Sequence, residues 1–195
     1  MRARSVLRAA SLGGAALAVG AWSSSSLGRE RDLEAFREGN RDRGPGADRF
    51  FRGVTELGSI WASVGAAAVL AATGHRRAAA RGLAAASITW VAGQGLKRVF
   101  GRPRPYDAGL YGMHLRIGRP KGTSWPSSHP AVLLSFLTVT SKDLGAGPIV
   151  RAALDGLAAT IGTSRVYVGV HFPSDVAGGI LLGKSVAAAF DDDRR

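Results

Sequence analysis

Residues 57–73 carry no charged side chain. Coiled as a helix at roughly 1.5 Å per residue, that run covers about 25 Å, the low end of what the hydrocarbon core of a bilayer requires. Five more apolar runs punctuate the chain, at residues 9–22, 82–96, 130–140, 149–162 and 176–190. Charges gather between them, although Arg151, Asp155 and Lys184 fall inside the last two. A mean hydropathy of +0.06 therefore averages two unlike kinds of segment.

These runs predict an all-α fold, a six-helix transmembrane bundle with small interfacial helices between the first two spans; an alanine-rich soluble bundle burying the same faces is the alternative. Residues 1–22 form an N-terminal membrane helix or a signal segment, with Arg2, Arg4 and Arg8 ahead of the apolar stretch. Residues 23–56 are a polar or interfacial linker, in which Leu33, Phe36, Phe50, Phe51 and Val54 give short helices an apolar face. Residues 57–190 are the core, and residues 191–195 a charged tail. Gly179 with Gly183, and Ala62 with Ala66, have the small-xxx-small spacing that lets helix backbones approach closely in lipid.

The net charge of +12 admits a nucleic-acid surface, an anionic membrane surface or an acidic substrate. Position favours the last two over nucleic acid, because the basic residues sit at the ends of apolar runs and not along one solvated face. The absence of cysteine excludes disulfides, thiolate nucleophiles and Cys-type zinc sites. The basic N-terminus and the basic stretches at 74–81 and 141–151 belong on the cytoplasmic side. Alternation then puts the loop 97–121 outside although it is more basic still, an exception that binding of an anionic substrate explains.

Three clusters carry chemistry, each at a predicted helix end on that outer face. They are the stretch from Lys97 through Arg104-Pro105, the segment Pro126-Ser127-Ser128-His129, and the stretch from Ser164-Arg165 through His171 to Asp175. Lysine charge and arginine forks suit a tetrahedral phosphate. Pro173 suits a first helical turn, and free N–H groups at a helix start favour an anion. Any one basic loop is equally a membrane-surface patch, and a lone histidine is more often a satisfied polar residue. Two histidines facing one basic cluster fit nucleophilic attack by a neutral imidazole, with Asp175 spaced to hold the other ring nitrogen of His171.

The three clusters resemble the signature of the type 2 phosphatidic acid phosphatase superfamily. Lys97 with Arg104-Pro105 matches its first motif; Pro126, Ser127 and His129 match its second, with Ser128 where the family has glycine; Ser164, Arg165, His171 and Asp175 match its third in full. The resemblance implies phosphoryl transfer without metal or other cofactor. His171 attacks phosphorus, Asp175 orients it, and His129 protonates the leaving oxygen and then activates water. Lys97, Arg104, Arg165, the Ser127 hydroxyl and the Ser128 N–H hold the phosphate. If the family glycine serves close backbone approach, Ser128 is tolerated; if it needs a positive φ, the loop must differ here.

The expected protein is an integral, multi-pass cell-membrane phosphatase, with its site on the extracytoplasmic face. It hydrolyses a lipid phosphomonoester or diphosphate; its partners are that lipid and the bilayer, and its oligomeric state stays open. A secreted soluble acid phosphatase of the same superfamily and a non-catalytic lipid-phosphate binding or transport protein are the alternatives. Outside the signature, Arg98, Arg102, His114, Arg116, Arg119 and Lys121 read individually as solvated loop residues. Tyr106 and Trp125 read as interfacial aromatic anchors, and Asp155 and Lys184 as a pair at similar depth on consecutive helices.

Overall fold

Each of the six apolar runs is helical in the computed structural model, which describes residues 2–191. The helices are α1 (Arg2–Ser24), α2 (Ser26–Gly39), α3 (Gly44–Thr55), α4 (Ile60–Ala72), α5 (Arg76–Phe100), α6 (Ser128–Asp143), α7 (Pro148–Tyr167) and α8 (Pro173–Ala189). Two 3-10 turns, Glu56–Gly58 and Pro105–Asp107, complete the helical elements, and no strand occurs among the described residues. The expected linker thus holds two short helices. Beyond Asp191 the expected charged tail lies outside the described residues.

Local chemistry sets the helix ends. Ser25 and Ser59 accept the N–H groups of Gly28 and Ala62, capping α2 and α4. Proline occupies the first turn of both α7 and α8. Gly101 ends α5 at φ 58°, a left-handed turn that sends Arg102 back toward the bundle.

Among the described residues, only Ala3–Ser24 within α1 is by itself long and apolar enough to cross a membrane. The 13-residue α4 meets that test only together with Gly44–Gly58, from which it is bent by 64°. Helix length and composition alone therefore do not yield six spans among the described residues.

Helix α6 lies at the centre. Its Val132 and Phe136 pack on Ala67 of α4 and Ala79 and Ala86 of α5. Leu133 and Leu134 pack on Ala158 and Ile161 of α7, and Val139 on Ala85 and Ala187. On α8, a Cβ added to Gly179 or Gly183 would stand 2.3 or 2.4 Å from the carbonyl oxygens of Ser127 or Ala131. The α8 backbone lies directly on α6 there, as the small-residue spacing predicts. In α4 the expectation fails: Ala66 is exposed, and Ser63 and Ala67 face inward. The buried stripe is rotated by one residue, about 100° around the helix.

Helix α1 runs along α8, where Ser185 donates its hydroxyl to the Ala9 carbonyl at 2.8 Å. The C-terminal ends of α5 and α7 meet the N-terminal ends of α6 and α8 at one end of the bundle. Charged pairs crowd the other end: Arg81 with Asp143 at 2.9 Å, and Lys142 and Arg8 with Asp191. Lys184 and Asp155 do pair, at 3.4 Å, with both side chains close to half exposed.

Candidate active site

Helix ends bring the three clusters together. His171 follows the last turn of α7 and Asp175 lies in the first turn of α8, both almost completely buried. The His171 Nδ1 is 3.3 Å from Asp175 Oδ2, while its Nε2 is 3.3 Å from the Arg104 Nη1. Guanidinium only donates, so Nε2 accepts and the ring proton sits on Nδ1, facing the carboxylate. Burial pushes His171 well below the usual imidazole range, and the charges of Lys97, Arg104 and Arg165, with His129, push the same way. The neutral ring is the stable form, and the cations the motifs call for surround it.

Each cation has its own fastening. The Lys97 ammonium donates to the carbonyls of Thr123, Ser124 and Pro126 at 2.9, 3.1 and 2.9 Å. Its three protons are thereby used to shape the loop that carries Ser127, which leaves it no free N–H. Arg104 donates Nε to the Gly122 carbonyl and Nη1 to the Val170 carbonyl, leaving Nη2 without a partner among the described residues. Arg165 donates Nη1 to Thr55 at the end of α3, and its buried Nε has no partner.

The Ser127 hydroxyl is likewise buried and unpartnered. Buried polar groups are nearly always satisfied, so Ser127 Oγ and Arg165 Nε, like Ser128 Oγ, stand out as buried groups without a partner. Neither Ser127 nor Ser128 caps α6 through its side chain, since α6 has no side-chain cap bond. The Ser127 N–H is taken by the Asp175 carbonyl at 2.9 Å. The N–H groups of Ser128 and His129, in the first turn of α6, have no intrahelical acceptor. No described residue other than glycine has a positive φ, so Ser128 occupies the family's glycine position without strain. Its hydroxyl points toward Gly93 of α5. The His129 ring has no hydrogen-bond partner among the described residues and lies against Gly58.

Several other residues depart from the sequence reading. Arg102 is buried, not solvated: it donates to Asp175 Oδ1 and to Ser174 at 2.7 Å each, and to Asp32 Oδ2 at 2.6 Å. Arg116 is also inside, donating to Asp48 and to the carbonyls of Tyr167 and Asn40. Trp125 is fully buried against Phe100, at 4.1 Å between ring centroids, because Gly20 and Gly178 leave room for the indole. It is core, not an interfacial anchor. Asp32, Asn40, Thr55 and Ser124, none of which stands out in the sequence, complete the surroundings. The one available signal was the i, i+4, i+8 spacing of Asp32, Phe36 and Asn40 in an otherwise charged linker.

Comparison with known proteins finds similar sequences and folds. A family model described as PAP2 superfamily matches residues 77–190. A lipid A 1-phosphatase of Rhizobium etli is 34% identical over 91 residues, 45% of this chain and 38% of that protein. A decaprenylphosphoryl-5-phosphoribose phosphatase of Mycobacterium tuberculosis is 31% identical over 97 residues, 49% of this chain and 50% of that protein. The chain thus spans half or less of the length of these curated relatives. Among solved structures, the transmembrane PAP2 type phosphatidylglycerolphosphate phosphatase of Bacillus subtilis shares the fold, with a TM-score of 0.79, 22% identity and 92% of each chain covered. Aquifex aeolicus LpxE matches with a TM-score of 0.71 and 32% identity, over 80% of this chain and 91% of that one.

Proposed function

The chain belongs to the PAP2 superfamily, and from that premise we propose that it is an integral membrane lipid phosphate phosphatase, hydrolysing a phosphomonoester or diphosphate through a phosphohistidine. The observation that carries this reading is a neutral His171, with Nδ1 on Asp175 and Nε2 opposite Arg104, beside the unpartnered Ser127 Oγ and Arg165 Nε.

A phosphate entering this space takes over the Arg104 proton that Nε2 accepts, freeing that lone pair. Nε2 then forms a bond to phosphorus as the bond from phosphorus to the lipid oxygen breaks, and His129, protonated once the phosphate charge lies beside it, delivers its proton to that oxygen. The imidazolium so formed keeps its Nδ1 proton against Asp175. Arg104, Arg165, Ser127 Oγ and the N–H groups at the start of α6 face the equatorial oxygens, where charge builds, and the Lys97 charge adds to theirs. In the second half, His129 takes a proton from water, the water oxygen attacks phosphorus, and the P–N bond breaks to restore Nε2.

Six passes through the membrane place this site at the extracytoplasmic face, with Arg8, Arg76, Arg77, Arg81, Lys142 and Arg151 toward the cytoplasm. Residues 1–22 then belong to a retained membrane helix, a reading supported by the packing of α1 along α8. Residues 23–56 lie at the interface, and residues 57–190 form the catalytic core. The names of the relatives point to lipid phosphates and isoprenyl diphosphates as the substrate class.

The test is phosphate release by detergent-solubilised protein from phosphatidate, phosphatidylglycerophosphate and an isoprenyl diphosphate, beside His171→Ala. At least one lipid should be hydrolysed by the wild type alone; equal release by both proteins from every lipid would overturn the mechanism.

A further inference from the structure

Helix α2 lies outside the matched residues 77–190, yet one of its faces is fastened to the chain on both sides of His171. Asp32, Phe36 and Asn40 stand one turn apart along that face. Asn40 donates its amide to the carbonyls of Tyr167 at 2.8 Å and His114 at 2.9 Å, just before the histidine. The Phe36 ring packs on Phe172, immediately after it, with 5.4 Å between centroids. Asp32 accepts the Ser174 N–H at 2.9 Å, and its second oxygen accepts from the Ser174 hydroxyl and from Arg102. Arg102 stacks over the Phe172 ring at 4.2 Å and donates its other nitrogen to Asp175.

We propose that Asp32 and Arg102 are positioning residues for the His171–Asp175 pair, forming a buried relay from α2 through one guanidinium to the carboxylate that orients the nucleophile. The inference rests on His171 being that nucleophile.

The charge arrangement explains why three ionic groups are sealed at one point. Asp32, Arg102 and Asp175 have side chains 2%, 9% and 0% exposed. Arg102 fixes the Asp175 rotamer, but its positive charge alone would weaken the carboxylate's hold on an imidazolium. Asp32 offsets that charge and leaves the relay with one net negative charge to stabilise the phosphohistidine. It also sits at the N-terminus of α8, where a carboxylate is favoured by the free N–H groups. Removing Asp32 exposes His171 to the full Arg102 charge and disfavours the imidazolium; removing Arg102 leaves two carboxylates near it and favours the imidazolium. The two changes must shift His171 titration in opposite directions. The other groups facing His171 are Lys97 of α5, Arg104 of the following loop, His129 of α6 and Arg165 of α7, and they are unchanged in both variants.

The experiment measures kcat, KM and the acid limb of kcat/KM against pH for wild type, Asp32→Asn, Arg102→Gln, the double variant and His171→Ala. Dioctanoyl phosphatidate in detergent micelles serves as the probe, and melting temperature is followed in parallel. Each single variant should lower kcat by about 10-fold or more, the size such outer contacts reach around metal ligands. KM should stay within roughly 3-fold, because the phosphate-facing groups are intact. The acid limb should fall in Asp32→Asn and rise in Arg102→Gln, with the double variant losing less than the product of the single losses. Where Arg102→Gln does not fold, Arg102→Lys should keep the wild-type acid limb with reduced kcat. Wild-type kcat and acid limb in Asp32→Asn would overturn the relay while an inactive His171→Ala leaves the phosphatase reading standing. So would a lower melting temperature with both limbs unmoved. Turnover by His171→Ala equal to wild type would instead remove the reading on which the relay rests.

Discussion

His171 Nδ1 lies 3.3 Å from Asp175 Oδ2, the oxygen that also accepts the Phe172 N–H at 2.8 Å. The carboxylate is thus held by the backbone of the residue next to the histidine it orients, and it receives donors on both oxygens, with Arg102 on Oδ1. An asparagine in its place must turn its NH2 toward Arg102 or toward the Phe172 N–H and His171, and either way two donors face each other. Asp175→Asn should therefore lose roughly 10³-fold or more in kcat, the scale seen when a triad histidine loses its carboxylate. The check is steady-state kinetics with a short-chain lipid phosphate, with KM expected to move far less than kcat.

The depressed affinity of His171 for a proton gives a pH prediction with a definite sign. Unfolded, the ring titrates near about 6.5; folded, it titrates well below, because it is buried among Lys97, Arg104 and Arg165. Between those two values the unfolded chain binds a proton that the folded one does not, so stability falls as pH falls through that window. Above the window His171 makes no such demand. Melting curves of wild type and His171→Gln at pH 7 and pH 5 should show the wild type losing more on acidification. The same property keeps the proposed nucleophile neutral, so the acid limb of kcat/KM should lie below the ordinary histidine range.

Gly179 and Gly65 separate a helix contact from a free helix surface. A Cβ at Gly179 would meet the Ser127 carbonyl oxygen at 2.3 Å, and backbone cannot swing aside. Gly179→Ala must push α8 from α6, disturbing both the Ser127 N–H to Asp175 carbonyl bond and the site between them. A loss of about 1–3 kcal/mol is expected, with a larger proportional loss of activity. Gly65 within α4 has open space around its Cβ position, so Gly65→Ala should keep or raise stability, by up to about 1 kcal/mol through helix propensity. Thermal unfolding in detergent and phosphate release on the same samples provide the comparison.

How much of this was legible in the sequence follows the range of the interactions concerned. The meeting of His171 and Asp175 was, because their spacing across Pro173 is local and a helix start fixes their geometry. The six apolar runs were, because apolarity is a property of each segment taken alone. Arg102 was not: its burial depends on Asp32, seventy positions earlier in the chain, and a basic loop gives no sign that a carboxylate from an interfacial helix will meet it. Trp125 was misread for a similar reason, since the room for its ring comes from Gly20 and Gly178 on two other helices. The rotation of the α4 stripe away from Ala62 and Ala66 has the same origin. Alanine and serine at neighbouring positions offer nearly equal small surfaces, and contact with α5 and α6 decides which one packs.

Ser128 stands where the superfamily signature has glycine, and the structure says what each atom there does. Its φ is not positive, so the left-handed freedom of glycine is not used, while its N–H is free at the start of α6. Its hydroxyl is buried, lacks a partner and lies against Gly93 of α5. Ser128→Gly and Ser128→Ala should both retain kcat within roughly 3-fold, because either keeps the N–H in place. Ser128→Ala should match or exceed wild-type stability, since it removes an unsatisfied buried oxygen worth about 1–3 kcal/mol at most. Ser127→Ala, which removes the orphan hydroxyl proposed to hold the phosphate, should instead lower kcat/KM by about 10-fold or more. Kinetics on the three variants decide the matter: a collapse of activity in Ser128→Ala with Ser127→Ala unharmed would reverse the roles assigned to the two hydroxyls.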